Sequence, residues 1–404
     1  MHANPSKALH PLSDIAAAPP DPILGLSDAF KADTNPDKVN LSVGVFQDET
    51  GKSPVLECVK RAEERLLANE STKSYMPISG DPAYGRHVAR LVFGEETADS
   101  GRVATIHAPG GTGALRVAGD FVRHLLGPRR VWLSDPTWPN HPGIFRAAHL
   151  ETEVYPYFDA AANAVAFEAM REKLDHLPEG DVVVLHGCCH NPSGADLTPE
   201  QWRALADTLR ARSLLPLVDF AYQGFGDGLD PDAASVRALV EAGLDILVSS
   251  SFSKNFGLYR ERVGALSVVT ESPDATARVL SQLKAVIRTN YSNPPAHGGS
   301  IVTAILDDPE LTELWKEELS AMQSRIAGTR KAFVEGLKDA GAVRDFSFLE
   351  RQKGMFSFSG LDRGQVDRLR EEHSIYIVGS GRINVAGITP ANLEYLCKAI
   401  VSVL

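Results

Sequence analysis

The chain has 404 residues, of which 43% are hydrophobic and 23% charged, with a formal net charge of -11 at neutral pH. That length allows one large domain with a smaller companion, and the acidic balance argues against nucleic acid or an anionic membrane as a default partner. The Cys188-Cys189 pair and only 4 cysteines in all make no disulfide framework and point to a reducing compartment.

The opening stretch, MHANPSKALHPLSDIAAAPPDP, has neither the apolar core of a signal peptide nor the arginine-rich amphipathic character of a transit peptide. It reads as a loose arm over residues 1–20 of a cytoplasmic protein. No apolar run approaches the roughly 20 residues needed to cross a bilayer, so no membrane is expected.

From there, short apolar runs alternate with amphipathic helical patterns, as in an α/β domain built on a largely parallel sheet. The strand candidates, in chain order, are VATIHAP, VWLSD, DVVVLHG, LLPLVDF, DILVSS and VGALSVV. Helix candidates such as GALRVAGDFVRHLL and PEQWRALADTLRARS lie between them, with apolar residues at three- and four-residue spacing. A long helical pattern follows from Pro309, with Leu311, Leu314, Trp315, Leu319, Met322, Ile326, Phe333 and Leu337 on one face, an interruption at Gly328 and a stop at Gly341. It carries the chain into a second region holding GMFSFSG, the helix candidate GQVDRLREEH and the strand-like IYIVGSGRINVAG.

The chemically suggestive residues fall where strand candidates end, the rim at which open parallel sheets collect ligands. HAPGGTGAL places a glycine turn at a helix start, offering backbone N–H groups to an anion, without completing the GxGxxG spacing of a dinucleotide site. Trp138 follows VWLSD and could stack on a ring. In HGCCHNPSGADL the adjacent cysteines lack the spacer of a metal site, so no metal is expected, and Asn191 offers an amide. Asp219 ends an apolar strand and needs a cationic partner there, and Tyr222 follows three positions on.

Lys254 then ends ILVSSSFSK, with Arg262 eight positions later. A lysine at a sheet-end cleft near cationic groups can lose its proton and form a Schiff base, which is the chemistry of pyridoxal 5'-phosphate. That cofactor asks for a glycine-rich turn, serines and an arginine at its phosphate, a buried carboxylate at its pyridine nitrogen and an aromatic face on its ring.

With SFSKNFGLY and RVG, GCCHNPSGADLT, YSNPPAHG, GMFSFSG and SGRINVAG all present, the chain resembles the aspartate and aromatic aminotransferase branch of the fold-type I pyridoxal-phosphate enzymes from about residue 21 to its end. The resemblance implies an α/β fold, with a large cofactor-binding domain (residues 50–325) around a mostly parallel seven-stranded sheet flanked by helices. A smaller α+β domain (residues 21–49 and 326–404) would form from both chain ends. It implies Lys254 as the Schiff-base and proton-shuttling residue, Asp219 at the pyridine nitrogen, Tyr222 and Asn191 at the phenolic oxygen, and Trp138 on the ring.

By the same resemblance, Gly111, Thr112, Ser251 and Arg262 bind the phosphate together with Tyr75 of a second subunit, and Gly110 stands where many relatives carry serine. His141, His186 and His190 support the cofactor from beneath. Arg382 would bind the substrate α-carboxylate, Arg288 from the partner of a homodimer the distal carboxylate, and Gly44 the closing edge. The implied reaction is ping-pong transfer of an amino group from L-aspartate to 2-oxoglutarate, with aromatic amino acids as the alternative substrates. A lyase, a decarboxylase and a non-catalytic scaffold remain as further alternatives.

Overall fold

The computed structural model describes Leu12, residues 15–18 and residues 24–404, so most of the expected N-terminal arm lies outside the described residues. All six strand candidates form, and a seventh joins them. Numbered along the main sheet in chain order, they are β1 (Val103–Pro109), β2 (Arg130–Asp135), β3 (Glu151–Pro156), β4 (Val182–His186), β5 (Leu215–Phe220), β6 (Ile246–Ser251) and β7 (Val263–Val269). Their spatial order is β1-β7-β6-β5-β4-β2-β3.

Neighbours are parallel except at β7, which runs antiparallel to both β1 and β6. This reversal has a functional consequence: β7 begins at the rim where the parallel strands end. β4, β6 and β7 are buried at every position, which is why they are built of apolar and small residues without alternating charge. Alternate residues feed opposite cores, Val184, Leu217 and Leu247 on one face and Val183, Val218 and Val248 on the other. β3, the strand with no sequence candidate, is an edge whose Glu151, Glu153 and Val154 are exposed, so it lacks that signature.

Helix Pro199–Ala211 opens with a reciprocal Thr198 and Gln201 capping box. Helix Pro309–Asp339 is capped by Asp308, which accepts from Leu311 N–H, and the chain leaves it at Gly341 with φ 93°. Gly328 does not interrupt it, contrary to the sequence expectation. The space beside Gly328 is open, and a mid-helix glycine costs only about 1 kcal/mol against alanine, too little to break a helix whose apolar face is buried. Leu314 is half-buried, whereas the other expected apolar positions are buried together with Arg330.

An early segment of the chain pairs with a late one. Val39–Asn40 pairs in parallel with Ile375–Tyr376, and Phe356–Phe358 pairs antiparallel with Arg382–Asn384. The Asn384 amide donates to Val43 O (2.7 Å) and Val45 O (2.8 Å), tying the early loop that carries Gly44 to the strand that carries Arg382. Among the described residues no helix is long and apolar enough to cross a membrane.

Candidate active site

At the C-terminal rim of the sheet lies a cavity of about 260 Å³, bounded by residues at the ends of β1, β2, β4, β5 and β6, by Arg262 before β7, and by Gly44, Phe356 and Arg382. Lys254 follows β6 through a turn in which Gly257 N–H donates to Lys254 O (3.0 Å). Trp315 of the long helix braces this turn from below, donating its indole N–H to Asn255 O (2.8 Å) and stacking on Phe256 at 4.3 Å. Lys254 Nζ lies 4.3 Å from the centroid of the Tyr222 ring. Burial pushes its ammonium down from 10.5 to about 8, Asp219 opposing and Arg262 reinforcing the shift.

Asp219 sits on β5 with its carboxylate 3.0 Å from His141 Nε2. A carboxylate accepts only, so His141 donates from Nε2 and its Nδ1 accepts from Thr137 Oγ1 (2.7 Å), which in turn accepts from His186 Nε2 (3.2 Å). Burial alone would raise Asp219, but the hydrogen bond from His141 and the nearby Lys254 charge outweigh it and hold the carboxyl below its usual range. The partner expected for Asp219 is thus first an imidazole chain. Burial keeps His186 and His190 neutral, His186 falling to about 3 with His141 adding to the shift. His190 is pinned between Ser134 and Ser193 hydroxyls and stacked on Tyr157 at 4.0 Å.

Tyr222 is pushed far above its usual range by burial and by the Asp219 charge, so it stays a neutral phenol. Asn191 is buried, and its Oδ1 has no partner. Both line the cavity with Trp138, whose ring meets His141 edge-on at 5.3 Å.

At the other end, Gly111 and Thr112 open helix Gly110–Phe121 and line the cavity with Ser251, Ser253 and Arg262. Arg262 immediately precedes β7, and the strand's reversed direction brings it to this rim. Its guanidinium donates to Tyr259 O (3.0 Å) and Ser253 Oγ (3.4 Å), with no acidic partner among the described residues. Gly110 has φ +71°, and a Cβ there would lie 2.5 Å from Arg262 Nη2, so this position has no room for a serine without moving the arginine.

Arg382 is buried, donates from Nη2 to Ser42 O (2.6 Å) and lies 4.3 Å over the Phe356 ring. Its Nε has no partner. Gly44 passes so close that a Cβ would meet Phe356 Cζ at 2.8 Å.

Of the residues singled out from sequence, Gly44, Gly111, Thr112, Trp138, Asn191, Asp219, Tyr222, Ser251, Lys254, Arg262 and Arg382 line this one cavity. Tyr75, 93% exposed, and Arg288, on the exposed end of helix Pro273–Asn290, do not. Sequence reasoning missed Ser253, Tyr259 and Phe356 as lining residues. Ser253 adjoins the lysine and Phe356 lies within GMFSFSG, so position beside a recognised residue was their available signal.

A cavity of similar size, about 270 Å³, opens behind Cys188 and Asp196 without touching Lys254. Cys188, Cys189 and Asp232 bring ligand atoms within 4.8 Å there. The Asp232 carboxylate, however, already accepts from Gly224, Gly226 and Asp227 N–H, and burial pushes both thiols up, Cys189 to about 11.

Residues 36–400 match the family model for aminotransferase class I and II. The chain belongs to that family. It is 52% identical over 393 residues to an aspartate aminotransferase of Escherichia coli K12, covering 97% of this chain and 99% of that one. It is also 49% identical over 396 residues to an aromatic-amino-acid aminotransferase of Pseudomonas aeruginosa, covering 96% of this chain and 98% of that one. A crystal structure of the Burkholderia pseudomallei aromatic-amino-acid aminotransferase, covalently bound to pyridoxal phosphate, superposes with TM-score 0.95 at 52% identity, covering 97% of this chain and 99% of that one.

The residues of the cavity fit such a group in this transaminase. They supply an amine lowered to about 8, an ionised carboxylate, an unpartnered amide oxygen and a helix start beside an arginine with no carboxylate partner among the described residues.

Proposed function

We propose that this protein is a pyridoxal-phosphate-dependent aspartate aminotransferase that passes the amino group of L-aspartate to 2-oxoglutarate, giving oxaloacetate and L-glutamate, by a ping-pong route. The carrying observation is that Arg382, buried and with no acidic partner among the described residues, lines the same cavity as a lysine whose amine is readily neutral. A fork of N–H donors held that way is suited to a carboxylate rather than to a neutral ligand.

When bound, pyridoxal phosphate supplies the aldehyde that captures the amino group and the ring that takes up the electron pair released at the substrate α-carbon. Lys254 Nζ would hold the cofactor and, as a free amine, would serve as the base that takes the proton from the substrate Cα and as the acid that returns it. Asp219, its carboxylate fixed in place by the His141–Thr137–His186 chain, would stay ionised and pair with the ring nitrogen. Tyr222 and Asn191 would hydrogen-bond the phenolic oxygen, and the first N–H groups of helix Gly110–Phe121 with Arg262 and Ser251 would hold the phosphate. Arg382 would bind and orient the α-carboxylate, and Trp138 would stack on the ring.

The exposed Tyr75 and Arg288 support a homodimer in which each subunit completes the other's site, Tyr75 at the phosphate and Arg288 at the distal carboxylate. Residues 21–49 and 326–404 then form the small domain that closes over residues 50–325, as the pairing of the chain ends suggests. A cytoplasmic location accords with the absence of disulfides among the described cysteines.

A second reading, preference for aromatic amino acids, is favoured by the relatives and neighbours of that description. Steady-state assays with 2-oxoglutarate test the assignment: oxaloacetate is expected from aspartate, and Lys254→Ala is expected to be folded and inactive. Normal turnover by Lys254→Ala, or release of pyruvate, ammonia or carbon dioxide from aspartate alone, would overturn it.

A further inference from the structure

Arg330 projects from helix Pro309–Asp339 into the interior, 3% exposed, and no acidic side chain pairs with it among the described residues. A buried guanidinium without a carboxylate is costly, so what it does hold is informative. It donates to Leu349 O (3.1 Å), Gly354 O (2.7 Å) and Phe356 O (2.9 Å), and to the Ser357 hydroxyl. Every acceptor lies on one stretch, which no lysine could gather from a single nitrogen.

The same stretch is seated against the loop that carries Asn191. Lys353 N–H donates to Gly194 O (2.7 Å), and Gly354, at φ +76°, passes so close to Cys189 that a Cβ there would lie 2.4 Å from the cysteine Cβ. Phe356 emerges from this clamp with its ring beneath the Arg382 guanidinium at 4.3 Å. On another side the backbone of Gly44 closes on the ring. The height of the ring under Arg382 is therefore set by the backbone that Arg330 grips.

We propose that Arg330 is a positioning residue for substrate-carboxylate recognition, fixing the backbone at Gly354 and Phe356 so that the Phe356 ring presents the Arg382 guanidinium to the substrate. The inference rests on the assignment of Arg382 to the α-carboxylate. That group is common to every amino acid, so the influence of Arg330 is uniform across substrate side chains. Arg288, assigned to the distal carboxylate, is selective.

The test compares wild type, Arg330→Lys and Phe356→Leu as holoenzymes. KM and kcat are measured for L-aspartate and L-phenylalanine, the dissociation constant of maleate by calorimetry, and Tm in parallel. Expected for both variants is a KM raised about tenfold, equivalent to about 1.4 kcal/mol, by a similar factor for both amino acids, with weaker maleate binding and a smaller change in kcat. A role confined to stability lowers Tm and leaves KM and maleate affinity of the folded protein at wild-type values, which overturns the proposal. So does a loss confined to aspartate. Should Arg330→Lys fail to fold, Phe356→Leu decides, since wild-type affinities there break the route from Arg330 to Arg382. Wild type converting neither amino acid refutes the aminotransferase assignment and the inference with it, whereas normal conversion by wild type and Arg330→Lys alike refutes the inference alone.

Discussion

Burial lowers the proton affinity of Lys254, Asp219 pulls it back up and Arg262 lowers it further, leaving the amine at about 8 instead of 10.5. That difference makes the uncharged amine roughly 300-fold more abundant at neutral pH than on a free lysine. Two substitutions separate the causes. Asp219→Asn removes the charge that favours the ammonium and is expected to move the midpoint below 8, while Arg262→Gln removes the charge that disfavours it and is expected to move the midpoint above 8.

The assay is the rate at which cofactor-free protein reacts at Lys254 with a small aldehyde under reductive trapping, followed across neutral and alkaline pH by peptide mass spectrometry. A wild-type midpoint at the ordinary lysine value, or shifts of the same sign in both variants, would refute the electrostatic reasoning. The same depression is a stability statement. Because the folded value lies below the unfolded one, the cofactor-free protein gains stability from this group as pH rises from about 8 to 10.5. Lys254→Met removes that slope and is expected to raise the Tm of the cofactor-free protein below pH 8.

Arg288→Ala is expected to lower kcat/KM for aspartate by the roughly 2–5 kcal/mol lost when a charged pair is truncated, and for phenylalanine far less; equal losses would remove Arg288 from the distal site. Trp315→Ala, which deletes the stacked support beneath the Lys254 turn, is expected to cost about 3–5 kcal/mol in chemical denaturation and to weaken cofactor retention; an unchanged midpoint would contradict the packing argument. Gly110→Ser is expected to weaken cofactor binding, read by equilibrium dialysis, because its Cβ meets Arg262 at 2.5 Å and φ +71° strains a non-glycine residue; unchanged binding would show that the arginine can move aside.

The rim of the sheet was legible because buried parallel strands write themselves as apolar runs, and polar residues at their ends stand out against them. β3 escaped because this edge strand, half in solvent, opens on Glu151, Thr152 and Glu153 and looks like loop. Gly328 misled in the opposite direction, since helix propensity is local and the buried face of helix Pro309–Asp339 is not. Asp219 illustrates a finer limit: its need for a partner followed from its burial, but the partner, His141, comes from a helix 78 positions away and no spacing rule connects them. Arg330 was invisible for a related reason, because an arginine on the apolar face of a helix gains its meaning only from carbonyls that arrive later in the chain.

The assignment meets its most direct test in the visible absorbance of the reconstituted protein, titrated with L-aspartate and, in a parallel cuvette, with L-phenylalanine. Loss of the yellow cofactor band with aspartate at far lower concentration than with phenylalanine is the expected result. Comparable conversion by phenylalanine would move the assignment to the aromatic substrates, and a protein that takes up no yellow cofactor, or whose band neither amino acid changes, would contradict it outright.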